Sequence, residues 1–173
     1  MKIRDIVRPL LQEIYQPDGW KMLVCCIMLN LTNRKQVDRV RHKLFKKYPT
    51  AKDLSVADYE ELSELLTPLG MQFKRAATLM KFSKEYNDGF TDPIELYGIG
   101  KYAKDSWEIF QNNNMNIKPN DKVLQEILHH QRGHYRVIKR YGRFPKRNQF
   151  IKGRHNTNAE KRYLATADPK LPY

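Results

Sequence analysis

Leu96-Tyr97-Gly98-Ile99-Gly100-Lys101-Tyr102 is the stretch on which the fold turns. Two glycines around one apolar residue let the chain reverse sharply between two helices. Their bare backbones can approach a ligand closely. The amides of Gly98, Ile99, Gly100 and Lys101 stand at a helix start, where they can hold a phosphate oxygen without reading sequence. An ordinary helix-turn-helix connection has the same pattern. Further on, Asp121 follows Pro119 at the start of another helical segment. Aspartate is also a favoured helix cap. Each element alone is therefore punctuation as readily as chemistry.

Outward from this hairpin the chain reads as helix throughout. It has no alternating β-branched run and no Asn-Gly or Asp-Gly hairpin signal. Asp5 to Tyr15 carries a stripe of Ile6, Val7, Leu10, Leu11 and Ile14, with Pro9 tolerable near its first turn or as a kink. Trp20 to Leu31 is apolar on nearly every face and predicts a buried central helix. Asn33 to Tyr48 is amphipathic and ends at Pro49. Ser55 is placed to cap a helix carrying Tyr59, Leu62, Leu65 and Leu66. Pro68-Leu69-Gly70 is a turn, Lys74 to Tyr86 a helix, and Asp92-Pro93 opens a short helical turn. The hairpin then leads into a helix from Lys101 to Gln111, and Asp121 into one ending near His130.

Composition bounds the function. The 173 residues carry 32 Lys and Arg against 19 Asp and Glu, a formal net charge of +13. Residues 1–128 are nearly balanced, with 20 basic and 17 acidic side chains. Residues 129–173 hold 12 basic and 2 acidic ones. That asymmetry points to a polyanionic partner, nucleic acid first, although a solvated basic tail would look the same. The longest apolar run, Met22 to Leu29, is eight residues, where roughly 18 are needed to span a bilayer. The two cysteines, Cys25 and Cys26, are adjacent and offer no disulfide framework, zinc site or iron–sulfur cluster, as in a reduced intracellular compartment. His129, His130 and His134 lack acidic or cysteine partners for a metal. No metal and no cofactor is expected.

The glycine hairpin, helix, loop and Asp121 together resemble the helix-hairpin-helix Gly/Pro-Asp DNA glycosylase superfamily. Trp20-Lys21-Met22-Leu23, Met28-Leu29-Asn30-Leu31-Thr32, Lys47-Tyr48-Pro49, Pro68-Leu69-Gly70, Pro93-Ile94-Glu95-Leu96 and Gly98-Ile99-Gly100-Lys101-Tyr102 are similar to the catalytic domain of its methyl-CpG-binding thymine/uracil mismatch branch. The likeness covers residues from about 6 to 130. It implies an all-α, two-lobed fold, extrusion of the target nucleotide, and a domain over 1–131 followed by a basic extension over 132–173.

The resemblance also implies roles. Asp121 matches the catalytic aspartate that stabilises an oxocarbenium-like sugar and orients water. Tyr102 stands where bifunctional relatives place a Schiff-base lysine, so strand cleavage is not expected and the phenol lines the base pocket. Gln12 matches a position that can contact the base edge. Gly98, Ile99, Gly100 and Lys101 bind the DNA backbone. Met71 matches an apolar wedge. Leu31 stands where relatives carry Arg or Gln, so it can plug the stack but cannot hydrogen-bond an orphaned guanine. The implied partner is double-stranded DNA with a mismatched or damaged base, bound by a monomer. The implied location is intracellular, the nucleus in a eukaryote and otherwise the cytoplasm or nucleoid.

From His134 the tail is similar to the end of an uncharacterised bacterial family of helical proteins. Its Arg and Lys residues, interleaved with Tyr135, Tyr141 and Phe144, suit phosphate binding and stacking on unpaired bases. A brace packed on the body is the alternative. The leading expectation is a monofunctional glycosylase removing thymine or uracil. A bifunctional glycosylase/lyase, a non-catalytic DNA-binding module of the same fold and a helical interaction scaffold stay open.

Overall fold

Most of the helices begin where the sequence supplies a cap. The computed structural model describes residues 9–129, and among these every regular element is helical. Helix α1 covers Leu11–Ile14 and α2 covers Gly19–Leu29, whose first turn is capped by the Asp18 carboxylate accepting from the Lys21 amide. Helix α3, Arg34–Lys47, opens with a reciprocal pair: Asn33 accepts from the Gln36 amide, and the Gln36 side chain accepts from the Asn33 amide. Helix α4 is Ala51–Ser55, α5 is Tyr59–Leu66 and α6 is Gln72–Asp88. A short 3-10 turn, Thr67–Leu69, joins α5 to α6, and another, Pro93–Glu95, precedes α7, Lys101–Phe110. The last described helix, α8, runs over 122–129.

Three expectations change. Of the stripe from Asp5, residues 5–8 lie outside the described residues, and the helix begins at Leu11, after Leu10 in extended backbone at ψ 157°. Helix α2 stops at Leu29 rather than Leu31. Asn30 leaves the helix at ψ 121°, and Leu31 adopts a left-handed φ of 56°. Ser55 does not cap α5. It is the last residue of α4, where its hydroxyl donates to the Lys52 carbonyl at 2.7 Å, and Asp58, immediately before Tyr59, caps α5 instead.

Leu10–Gln125 form one compact unit. Its centre is α2, in which every side chain from Met22 to Met28 is buried. Each such side chain contributes roughly 1.5–3 kcal/mol, so α2 anchors the unit. Helix α2 packs on α1, α3, α6 and α7, while α6 lies along α4 and α5. The helices thus fall into two groups that meet at α2. The second unit comprises residues 1–9 and 126–173; Pro9 and 126–129 are its described part. The expected boundary at 131/132, the basic extension and the three histidines as a group lie outside the described residues.

Candidate active site

The hairpin forms as the glycines require. Gly98 has φ 80°, and a Cβ there would come within 2.5 Å of the Thr78 Cγ2 on α6. Glycine is needed both for the left-handed backbone and for the close approach. Ile99 is buried, which ties the loop to the body. Gly100 then caps α7, its carbonyl accepting from the Lys104 amide at 3.0 Å.

The first two side chains of α7 diverge. The Lys101 ammonium donates to both oxygens of the buried Asp105, at 2.9 and 2.8 Å, and to the Lys118 carbonyl at 3.3 Å. Tyr102 turns inward, and its hydroxyl accepts from the Gln12 amide at 2.5 Å. Burial pushes the Tyr102 phenol well above its ordinary pKa, reinforced by Cys26 and the Asp121 charge and opposed by Gln12. It stays neutral across the physiological range. Gln12 is only 2% exposed and also reaches the Ser106 hydroxyl at 3.4 Å.

Asp121 sits at the start of α8. Its Oδ1 accepts from the Val123 and Leu124 amides, both at 3.0 Å, so the capping reading holds. Its Oδ2 has no protein partner among the described residues, and the half-buried carboxylate borders a half-open cleft of about 520 Å³. That volume is within the range of small-molecule sites. A carboxylate there can stabilise a developing cation and accept a proton from water.

The cleft brings together Leu31, Gly98, Gly100, Lys101, Tyr102 and Asp121. Ile99, Gln12 and Met71 do not line it. Gln12 lies beneath it, held against Tyr102. Met71 is the left-handed residue before α6, at φ 49° and 48% exposed. Leu31 is 82% exposed on the cleft rim. Asn30, Thr32 and Cys26 also line the cleft and were not singled out from the sequence. The break in the apolar run at Asn30 was the available signal for the first two. Burial pushes the Cys26 thiol up to about 12, so it is a poor nucleophile.

The chain is 38% identical over 130 residues to a "Methyl-CpG-binding domain protein 4-like protein" of Arabidopsis thaliana, covering 74% of this chain and 29% of that protein. It is 34% identical over 94 residues to a "Thymine/uracil-DNA glycosylase" of Pyrobaculum aerophilum, covering 50% of this chain and 41% of the relative. The chain belongs to the helix-hairpin-helix DNA glycosylase superfamily. The structure of a thermostable thymine-DNA glycosylase matches with a TM-score of 0.55 at 19% identity, over 70% of this chain and 69% of that one, which places the superfamily's fold here. The chain also belongs to the family described as "Bacterial protein of unknown function (DUF924)", which matches residues 12–168. That match covers the body as well as the tail, where the sequence alone points to an uncharacterised bacterial family. The chain spans less than half the length of these two curated superfamily members.

Proposed function

We propose that the protein is a monofunctional DNA N-glycosylase that extrudes thymine or uracil from a mismatched duplex and hydrolyses its glycosidic bond. The observation that carries this reading is the Asp121 carboxylate on the same cleft as the neutral Tyr102 phenol. The names of the superfamily members above support it. As the base departs, the sugar gains positive character. Asp121 stabilises that charge through its unpartnered oxygen and orients the attacking water. Tyr102 lines the base pocket, with Gln12 fixing its hydroxyl. The Gly98 and Gly100 amides and Lys101 face a phosphate, the Ile99 amide being taken by the Leu96 carbonyl at 3.1 Å, while Leu31 fills the vacated stack and Met71 wedges the duplex. A mispaired base costs less to extrude than a paired one.

Monofunctionality rests first on the Tyr102 phenol, which cannot form an imine, and then on Lys101. It is the amine nearest the position of a Schiff-base lysine, and it is committed to Asp105 and the Lys118 carbonyl. The DNA partner, the monomeric state, an intracellular location and the 1–131 domain belong to the same reading. No helix among the described residues is long and apolar enough to cross a membrane.

Excision from duplexes bearing G·T, G·U, A·U or oxidised bases tests it directly. The expected product is an intact abasic strand that breaks only with alkali or heat. No excision from any duplex overturns the reading. A good yield of borohydride-trapped adduct at Lys101 overturns monofunctionality alone. The cap made by Asp121 also suits a non-catalytic DNA-binding module, and that module would bind these duplexes without releasing a base.

A further inference from the structure

Arg75 lies on the buried face of α6, with Ala76, Leu79, Phe82 and Ser83. It is 5% exposed, and no carboxylate pairs with it among the described residues. Its guanidinium is satisfied by main chain. Nη1 donates to the carbonyls of Ile27 at 3.3 Å and Met28 at 3.5 Å, and Nη2 donates to Asn30 at 2.8 Å. These carbonyls end α2, where the helix dipole favours a cation. Nε donates to the Gly70 carbonyl at 2.9 Å. Burial without a counter-charge draws its pKa below the ordinary value, yet arginine keeps its proton in proteins.

Each bridged turn leads into a left-handed, exposed apolar residue. Asn30 precedes Leu31 and Gly70 precedes Met71. A left-handed backbone at a non-glycine residue costs roughly 1–2 kcal/mol and persists only where the surroundings impose it. Only the planar fork of arginine offers donors in several fixed directions at once; a lysine is a single point charge.

We propose that Arg75 is a positioning residue that locks the Leu31 and Met71 turns to each other, so that both tips meet the duplex as one rigid unit. The proposal rests on the glycosylase reading and concerns nucleotide extrusion rather than bond cleavage.

The test compares single-turnover excision, at saturating enzyme, of uracil from a G·U duplex and from an unpaired strand, where extrusion costs little. The variants are Arg75→Lys and Arg75→Gln, both checked by circular dichroism and melting. A positioning role predicts a loss of about tenfold or more on the duplex, since small misplacements are costly, and little change on the unpaired strand. The fluorescence rise of 2-aminopurine beside the uracil should slow with it. Leu31→Ala should add less loss in the Arg75→Lys background than in the wild type, because the two act together. Equal losses on both substrates, or additive losses with Leu31→Ala, overturn the proposal. A wild-type protein inactive on both substrates overturns the glycosylase reading instead.

Discussion

The glycine hairpin and the two apolar tips meet the same backbone demand in opposite ways. At Gly98 a left-handed turn is made by a residue without a side chain, wedged against Thr78. At Leu31 and Met71 the same region of backbone is occupied by large apolar residues that protrude into solvent. Glycine would relieve the strain at both tips, so conformation alone does not account for the side chains there. On the proposed function, chemistry belongs to the hairpin side, which leads to Tyr102 and Asp121, and access to the side of the tips.

The largest effect should come from Asp121→Asn. It keeps an oxygen for the Val123 and Leu124 amides and removes the negative charge. Single-turnover excision should fall at least about 10²-fold, comparable to losing one electrostatic stabiliser, while duplex binding is retained or tightened. Excision near the wild-type rate would break the division of labour at its strongest point.

Gly98→Ala should come next. The added methyl meets Thr78, and φ 80° suits only glycine. A loss of about 2–3 kcal/mol is expected, from the left-handed penalty and local overpacking, read by denaturant melts. Thr78→Ser, which removes the offending methyl, should restore part of it. Complete restoration would show that the backbone conformation contributes nothing.

Below the two rims, Cys26 and Tyr102 bind their protons more tightly when folded than when unfolded. Their stabilisation is complete below the ordinary thiol pKa of 9.0 and drains as pH rises toward about 12 for Cys26. Each such group contributes up to about 1.4 kcal/mol per pH unit in that window. Cys26→Ala should flatten the alkaline fall in stability without altering excision at neutral pH. An unchanged alkaline slope would refute this origin.

Leu31→Gly is the smallest change in stability and the sharpest contrast with Gly98. Relief of the left-handed backbone should leave the melting point unchanged or raise stability by about 1 kcal/mol. Excision from duplex should fall while excision from an unpaired strand holds. A melting point that drops would mean that Leu31 packs in the fold rather than serving the cleft.

What the sequence disclosed follows the same division. Helix α2 was legible because its apolar residues cover every face, and the hairpin because two glycines leave few alternatives. The cleft's membership was legible where short spacing or the family pattern placed a residue, as with Tyr102 and Asp121. Gln12 was placed near the pocket by resemblance, but its burial beneath Tyr102 depends on how α1 meets α7, which no local pattern encodes. Ser55 misled because a good capping residue also bonds within its own helix. Arg75 was missed because its partners are carbonyls, which every residue has. Its phase with Leu79 and Phe82 on the buried face of α6 was the one local clue.

The Asp121 cap has an evolutionary consequence. Asparagine caps a helix as well as aspartate does, and one nucleotide change separates their codons. If Asp121 carries the proposed chemistry, a lineage of this chain can exchange catalysis for simple DNA occupancy in a single step, with no unstable intermediate for selection to remove. Retention of the fold, however complete, is then no record of retained turnover, and descendants of one ancestor can divide between repair and binding while remaining superimposable.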